Sequence, residues 1–213
     1  MTAGRLVTVL LLAPLATTAC RRDPGRVDPA VTNPRTAPAQ PRAGAGAASG
    51  RWVLDDKTCS LGFVGASLTQ KHEGRFGAVA GIAEMTSGDP SKGSVTFEVT
   101  MGSLAIEPAP LQTHLASPDF FDVARFPTAR FASTRITKAA GGDGYVVTGE
   151  LTLHGITREI SFPAAIAVRT GELVVRADLT LGRKGFGIVY PGLPDDLIAD
   201  DVVVRIRIAA PGS

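Results

Sequence analysis

Residues Leu111 to Phe131 read LQTHLASPDFFDVARFPTARF, and this stretch decides the fold. Its first half has the spacing of a short amphipathic helix, and a polar turn with the adjacent pair Phe120 and Phe121 follows. A new extended segment begins after the turn. Because the segments on both sides have the pattern of β-strands, one helix interrupts an otherwise all-β chain. Such a helix predicts a lid or plug on a barrel that contains something apolar.

Apolar and polar residues alternate repeatedly in the chain beyond residue 50. In SVTFEVTM, for example, Val95, Phe97, Val99 and Met101 share one face, and the residues between them are polar. This alternation is typical of an antiparallel strand with one face in the core and the other in water. Turn sequences rich in Gly, Pro and Asp separate the segments. The pattern recurs in YVVTGELTL (145–153), REISFPAAIAV (158–168), LVVRADLTL (173–181) and VVVRIRI (202–208).

With four further extended segments, the chain has eight or nine predicted strands joined in sequence by short turns. We therefore predict an all-β fold, an antiparallel up-and-down β-barrel of about eight strands with a short helical insertion. Closing the sheet into a barrel removes its exposed edges. A barrel of this size is either filled by side chains or holds one ligand. Small residues on the predicted inner face favour a cavity, namely Gly62, Gly65, Ala78, Gly81, Ala164 and Ala177.

Residues 1–19 have the layout of a secretory signal peptide. Arg5 is followed by the apolar run LVTVLLLAPLA, which is too short to span a bilayer, and then by small residues. Thr18-Ala19-Cys20 fits the end of a lipoprotein signal, in which the Cys thiol receives a diacylglycerol. We expect lipidation of Cys20, and ordinary cleavage after Ala19 would instead leave it free.

Residues 20–50 are predicted to be a disordered linker after the lipidated Cys, because the sequence after Cys20 is rich in Pro, Ala, Gly and Arg and has no aromatic residue. The barrel domain then covers residues 51–213. Residues 1–50 contain six Arg and two Asp, whereas the remainder has sixteen cations and eighteen anions. The domain therefore has no basic stripe, and nucleic-acid binding is not expected.

Three stretches carry a family resemblance: HLASPDFFDVARFPTARFAST (114–134), GDGYVVTGELTLHGITREISFP (142–163) and GRKGFGIVYPGLPDDLIADDVVVRI (182–206), with KHEGRFGAVAGIAEM (71–85) in support. In their order and spacing they resemble the YceI-like family of lipocalin-like, polyisoprenoid- and lipid-binding proteins, from about Trp52 to Ala209. The resemblance implies a lipocalin-like barrel with a helical insertion, a long apolar channel for a lipid tail, and export to the periplasm. Gly182 and Gly185 depart from the polar and acidic residues usual in the family.

Aromatic and aliphatic side chains are the candidates for the cavity lining and its gate, although many of them, Phe126 included, can equally be core. Burying a lipid chain gains about 0.8 kcal/mol per CH₂, so a channel with few polar groups suffices for binding. Since adjacent residues on a short helix cannot both face one core, we expect only one of Phe120 and Phe121 to face the cavity mouth. The candidates are Phe63, Phe76, Phe97, Val99, Leu111, Leu115, Phe120, Phe121, Phe131 and Phe162.

The candidates for contact with a lipid headgroup are His114, Arg183 and Lys184. Arg183 and Lys184 lie in GRKGFG, which lacks the strand–loop–helix context of a phosphate loop. At a barrel rim the two cations would either meet a pyrophosphate headgroup or remain solvated.

No metal site is expected, because the three histidines His72, His114 and His154 are far apart and lack ligand spacing. His154 lies in a predicted hairpin, LTLHGIT, where we expect a turn-stabilising hydrogen bond. Cys59 has no predicted disulfide partner and is expected to be a small buried residue of a strand.

Asp119 and Asp122 flank the Phe pair. A close carboxylate pair can perform acid–base chemistry, but Ser117-Pro118-Asp119 is typical of an N-cap for a turn that begins at Phe120. Nothing nearby supplies a nucleophile or an oxyanion donor set. We therefore expect a non-enzymatic protein without a cofactor.

The sequence favours a periplasmic binding or carrier protein that sequesters an isoprenoid or other long-chain lipid, with residues 111–121 gating entry. The N-terminal lipid anchor would hold it on a membrane, and Arg21 after Cys20 favours the outer one. Two alternatives remain open: a small barrel enzyme that acts on a lipid through Asp119, Asp122 or His114, and a structural envelope module with a filled core. Whether the domain forms a homodimer is also left open.

Overall fold

A computed structural model describes residues 50–169 and 171–212. The predicted signal peptide, Cys20 and nearly all of the predicted linker lie outside the described residues. No helix in the described ranges is long and apolar enough to cross a bilayer.

The described chain forms thirteen strands, one α-helix and two 3₁₀ turns. The helix, α1, is Ala109–Ala116, and the 3₁₀ turns are Met101–Ser103 and Arg183–Phe186. The strands are β1 Gly50–Leu54, β2 Cys59–Ala66, β3 Lys71–Phe76, β4 Val79–Thr86, β5 Asp89–Thr100, β6 Leu104–Ile106, β7 Thr128–Lys138, β8 Tyr145–Leu153, β9 Ile156–Arg169, β10 Glu172–Gly182, β11 Gly192–Leu193, β12 Asp196–Leu197 and β13 Asp201–Ala210.

Six of the strands form three bent ribbons, because β1 continues into β2, β3 into β4 and β5 into β6. The first ribbon pairs with the second through β1–β4 and β2–β3, and the second pairs with the third through β4–β5 and β3–β6. The order then runs β5–β7–β8–β9–β10–β13. β13 returns to β2, and a bridge between Trp52 and Gly212 extends this closure. All pairs are antiparallel.

The three bent ribbons and the five strands β7, β8, β9, β10 and β13 therefore close into an eight-stranded up-and-down barrel, which confirms the predicted fold class. Each strand alternates inward and outward residues, as the sequence pattern requires. The short hairpin of β11 and β12 lies outside this ring.

One end of the barrel is closed by tight packing. Trp52, Leu54 and Leu173 are almost completely buried there, and Ala210 packs against them. The indole Nε1 of Trp52 donates a hydrogen bond to the carbonyl of Gly171 at 2.8 Å, which satisfies the only polar atom of that side chain. This closed end is where β1 begins and β13 finishes.

The helix α1 lies at the opposite, open end, between β6 and β7. It begins after Pro108 and has Pro110 in its first turn, where a missing N–H costs nothing. It ends at Ala116, and the backbone N–H and hydroxyl of Ser117 both donate to the carbonyl of His114. Leu111 and Leu115 pack against the core cluster formed by Phe63, Leu104 and Ile106.

The predicted helix is thus present, but its helical part stops before the Phe pair. Residues 118–121 form a turn. The predicted cap in Ser117-Pro118-Asp119 is present only in part: Ser117 Oγ accepts the backbone N–H of Asp119, but the turn that follows does not continue into a helix within the described residues.

Candidate functional site

The barrel encloses a cavity of about 600 Å³ that occupies its open half. This volume lies within the range of pockets that bind small molecules. A second apolar void of about 50 Å³ lies beyond it, toward the closed end. The barrel is therefore not solidly filled, contrary to what a purely structural envelope module would require.

All ten apolar residues that we predicted for the cavity or its gate line the larger cavity: Phe63, Phe76, Phe97, Val99, Leu111, Leu115, Phe120, Phe121, Phe131 and Phe162. The strand alternation places the strand residues there, because inward positions of every ribbon face one lumen. Of the predicted small residues, Gly62 and Gly65 border this cavity and Ala164 and Ala177 border the smaller void.

The floor of the large cavity is a row of three phenylalanine rings. The ring centroids of Phe97 and Phe131 are 5.8 Å apart, and those of Phe131 and Phe162 are 5.7 Å apart. These three residues line both cavities. They therefore form a partition between the large cavity and the small void.

The wall under α1 is also aromatic. Phe121 stands edge-on to Phe63 and Phe76, with centroid separations of 6.5 and 6.0 Å. Phe120 packs on the other side against His114 at 5.0 Å and Tyr190 at 5.2 Å. Since this segment is a turn, the two adjacent rings diverge and still both reach the cavity. The expectation that only one of the pair faces it is wrong.

His114 connects α1 to the cavity mouth. Its ring is 4.9 Å from that of Tyr190, and its Nε2 lies 3.1 Å from Oδ2 of Asp119. His114 therefore lies beside the cavity, and its predicted contact with a headgroup remains a prediction. The structure adds Asp119 as its partner outside the lumen.

Arg183 lines the cavity, yet it is buried and its guanidinium is committed to the protein. It donates to the carbonyls of Ala199, Ile188 and Ile198 at 2.9, 2.8 and 3.1 Å. Burial lowers the pKa of Arg183 from its ordinary value, and nearby Asp200 acts in the opposite direction. The side chain is therefore not a solvated rim cation, and three of its N–H donors hold the 188–199 segment. Its predicted contact with a headgroup remains a prediction.

Lys184 is exposed and does not line the cavity. Its backbone N–H donates to Oδ1 of Asp200 at 2.8 Å. Because Lys184 is exposed and outside the cavity lining, any contact of its side chain with a headgroup would occur on the outer surface. That contact remains a prediction.

Polar side chains of the cavity wall are concentrated at the open end. Asp196 there accepts hydrogen bonds from Ser67 and Thr69, which hold the pKa of its carboxyl below the ordinary value. The deeper wall, from Leu151 to the phenylalanine floor, is apolar. The polar members of the lining are Ser67, His72, His114, Arg183, Tyr190 and Asp196.

The sequence reasoning missed several lining residues, among them Phe186, Ile188 and Tyr190. They lie in and after the second 3₁₀ turn, where no period-two or helical alternation exists to mark an inward face. The only available signal was the apolar composition of the run GFGIVY within 185–190.

The remaining histidine and cysteine behave as structural residues. His154 lies in the predicted hairpin between β8 and β9, and its Nδ1 is 3.1 Å from the carbonyl of Phe186, so its hydrogen bond reaches a neighbouring turn. Cys59 is half-buried in β2, and burial raises the pKa of its thiol. Within the described residues, no three His, Cys, Asp or Glu side chains group as metal ligands.

The sequence matches the family model of the YceI-like domain over residues 52–210. The chain belongs to the YceI-like family. A UPF0312 protein of Pseudomonas putida is 31% identical over 141 residues, 62% of this chain and 71% of that protein. Another, from Pseudomonas savastanoi pv. phaseolicola, is 33% identical over 128 residues, 56% of this chain and 65% of that protein.

Solved structures share the YceI-like fold. Burkholderia cenocepacia BcnA has a TM-score of 0.64 at 23% identity, over 71% of this chain and 96% of that one. A polyisoprenoid binding domain from Saccharophagus degradans has a TM-score of 0.59 at 14% identity, over 78% and 100%. A Campylobacter jejuni YceI protein with a monobromobimane guest has a TM-score of 0.53 at 19% identity, over 66% and 84%.

In this YceI-like domain, two unusual glycines lie beside polar groups from other segments. Gly182 adjoins the carboxylate of Asp200, and the carbonyl of Gly185 accepts a hydrogen bond from Nε of Arg158. Polar contacts are therefore present around both positions, although they come from outside the GRKGFG segment.

Proposed function

We propose that the protein is a non-catalytic carrier that holds an isoprenoid or other long-chain lipid inside its barrel. The observation that carries this proposal is the cavity of about 600 Å³, whose deep wall is apolar and whose polar groups are confined to the open end. An amphiphile with a long tail matches that distribution, with the tail on the phenylalanine floor and the headgroup at the mouth. The polyisoprenoid-binding domain with the same fold supports it.

The energetics favour binding through the tail. Each CH₂ buried contributes about 0.8 kcal/mol, so a ten-carbon segment gains about 8 kcal/mol before the costs of immobilising the ligand. Because the cavity is already formed in the structure, its wall needs little rearrangement to accept the ligand. Few hydrogen bonds to the headgroup are then needed for stable binding.

The mouth favours an uncharged or weakly polar headgroup. Among the residues that the structure describes, Arg183 is the one Arg or Lys that lines the cavity, and it already donates to three carbonyls. Three of the five N–H donors of its guanidinium are thus occupied, which leaves few for the charge-assisted contacts of a pyrophosphate. His114 and Tyr190 are among the other polar groups of the lining, and either suits a hydroxyl or carbonyl.

The proposal extends to location, on the strength of the sequence. The signal-like residues 1–19 and Cys20 support export to the periplasm and a lipid anchor, and Arg21 supports the outer membrane. Mass spectrometry of the mature N-terminus tests this directly: a diacylglyceryl group on Cys20 is expected, and a mature chain without lipid on that residue contradicts the anchor.

The binding proposal is tested by lipid extraction and mass spectrometry of the full chain carrying Cys20→Ser, which lacks the thiol that would receive the anchor. Leu151→Gln places a polar group in the lumen, whereas Thr152→Gln changes its neighbour on β8, which lies outside the cavity lining. We expect lipid with the parent and with Thr152→Gln, and its loss with Leu151→Gln. A parent protein that is empty and binds no added isoprenoid contradicts the proposal.

A further inference from the structure

Large apolar side chains are exposed around the mouth of the cavity. The described residues expose seven such side chains, and four of them lie on the two segments that border the mouth. We call these four the apolar rim: Leu68, Val189, Leu193 and Leu197, which are 71%, 63%, 60% and 48% exposed. Several exposed apolar side chains grouped on neighbouring segments are typical of an interaction site, whereas single exposed residues are ordinary.

The rim is held in place by hydrogen bonds. The backbone N–H of Leu68 donates to the carbonyl of Leu197 at 3.1 Å, and a bridge joins Ser67 to Ile198. Asp196 accepts the backbone N–H of Thr69 at 3.1 Å. These bonds join the turn between β2 and β3 to the hairpin of β11 and β12. They fix the positions of Leu68 and Leu197 relative to each other.

The rim is continuous with the cavity. Leu193 and Asp196 line the lumen, while Leu193 is also exposed on the outer surface. An apolar path therefore leads from the outside of the rim to the inner wall. A ligand with a long tail could thus pass from the rim to the inner wall along Leu193.

The position of the rim relative to the N-terminus permits contact with a membrane. β1 begins at the closed end, and residues 20–49 precede it. Thirty residues span at most about 100 Å when fully extended, whereas β9, the longest strand with fourteen residues, is about 48 Å long. An anchor at Cys20 thus leaves enough chain for the open end to turn toward the same membrane.

We propose that the apolar rim docks on the surface of a lipid bilayer and that ligand passes between the bilayer and the cavity across it. This proposal rests on the proposed carrier function, since a water-insoluble ligand has to leave and re-enter a membrane. The segments 67–70 and 189–197, which carry the rim, contain no Lys or Arg that would require an anionic surface. A zwitterionic surface therefore suffices, and apolar insertion supplies the attraction.

The test uses the full chain with Cys20→Ser and vesicles of pure phosphatidylcholine, measured by co-sedimentation. The double variant Leu68→Ser, Leu197→Ser removes two rim side chains that do not line the cavity. Val53→Ser is the matched control, because Val53 is 53% exposed at the closed end. We expect the double variant to lower vesicle partitioning at least tenfold, while Val53→Ser changes it less than twofold.

The lipid content of each protein, measured in parallel by mass spectrometry, separates the two proposals. Unchanged lipid content with lost vesicle binding supports docking through the rim. A lipid-loaded parent that does not partition to vesicles overturns docking alone. A parent that is empty, binds no added isoprenoid and still partitions through the rim overturns the carrier function and leaves docking standing. If the double variant instead abolishes a dimer seen by sedimentation velocity and leaves vesicle binding unchanged, the rim is an interface between copies and docking is overturned.

Discussion

The imidazole of His114 and the carboxylate of Asp119 face each other across the turn that follows α1, with Nε2 and Oδ2 3.1 Å apart. His114 also packs against Phe120 and Tyr190, which line the cavity. Asp119 thus reaches the cavity mouth indirectly, by fixing the orientation of one of its rings. This contact positions a gate residue and is too exposed to dominate stability.

Replacement of Asp119 by Ala is expected to speed ligand release with little effect on stability. An exposed pair contributes about 0–1 kcal/mol, so the release rate should rise by up to about fivefold. Stopped-flow transfer of a fluorescent fatty lipid to vesicles measures this rate. Asp119→Asn, which keeps a hydrogen-bond acceptor, is the control and should fall between parent and Ala. If Asp119→Asn instead abolishes conversion of a lipid by a folded protein, the enzyme hypothesis replaces the carrier.

Arg183 is expected to be the most sensitive polar position in the barrel wall. Arg183→Met leaves the carbonyls of Ile188, Ile198 and Ala199 without their donor, so we expect a loss of about 2–4 kcal/mol in the free energy of unfolding. Arg183→Lys should recover little, because an ammonium cannot reproduce the guanidinium fork. Urea unfolding measures both.

Lys184→Met is the matched control for Arg183, because the neighbouring side chain is exposed. A change within about 0.5 kcal/mol is expected there. Equal stability of Arg183→Lys and the parent would show that the three hydrogen bonds do not hold the 188–199 segment.

The phenylalanine floor is expected to limit the length of the bound chain. Phe131→Ala removes the central ring and should join the large cavity to the void of about 50 Å³ behind it. The variant should cost about 3–5 kcal/mol of stability and shift the preference toward longer tails. A series of fatty acids of increasing length, tested by displacement of a fluorescent probe, measures the preference.

Ile136→Ala is the control for the floor, since Ile136 lines only the smaller void and is equally buried. It should destabilise the barrel and leave the floor and the chain-length preference unchanged. If both variants show the same preference as the parent, the three rings do not set the depth of the binding site.

The barrel and the apolar part of its site were predictable from sequence because both follow from a local period. Alternation along each strand fixes which residues point inward. Closure of the sheet then brings those residues into one lumen, independently of the conformation of the turns. Arg183 was not predictable, because its acceptors are carbonyls whose positions depend on the path of an irregular segment. The orientation of Phe120 and Phe121 was predicted wrongly for a similar reason. The prediction assumed helical geometry, whereas these residues lie in a turn.

Acidification is expected to weaken the hydrogen bonds that Asp196 accepts at the apolar rim. Hydrogen bonds from Ser67 and Thr69 favour the ionised carboxylate, so its pKa in the folded protein lies below the ordinary 3.8. Their stabilisation is therefore complete above that value and is lost as the pH falls through the lower folded pKa.

The backbone amide of Thr69, which donates to Asp196, reports this titration by NMR between pH 6 and pH 2. We expect its chemical shift to change with a midpoint below 3.8, and the change to disappear in Asp196→Asn. A midpoint at or above 3.8 contradicts the assigned hydrogen bonds. Because the rim also borders the mouth, release of lipid should accelerate over the same pH range in the parent and should lack this pH dependence in Asp196→Asn.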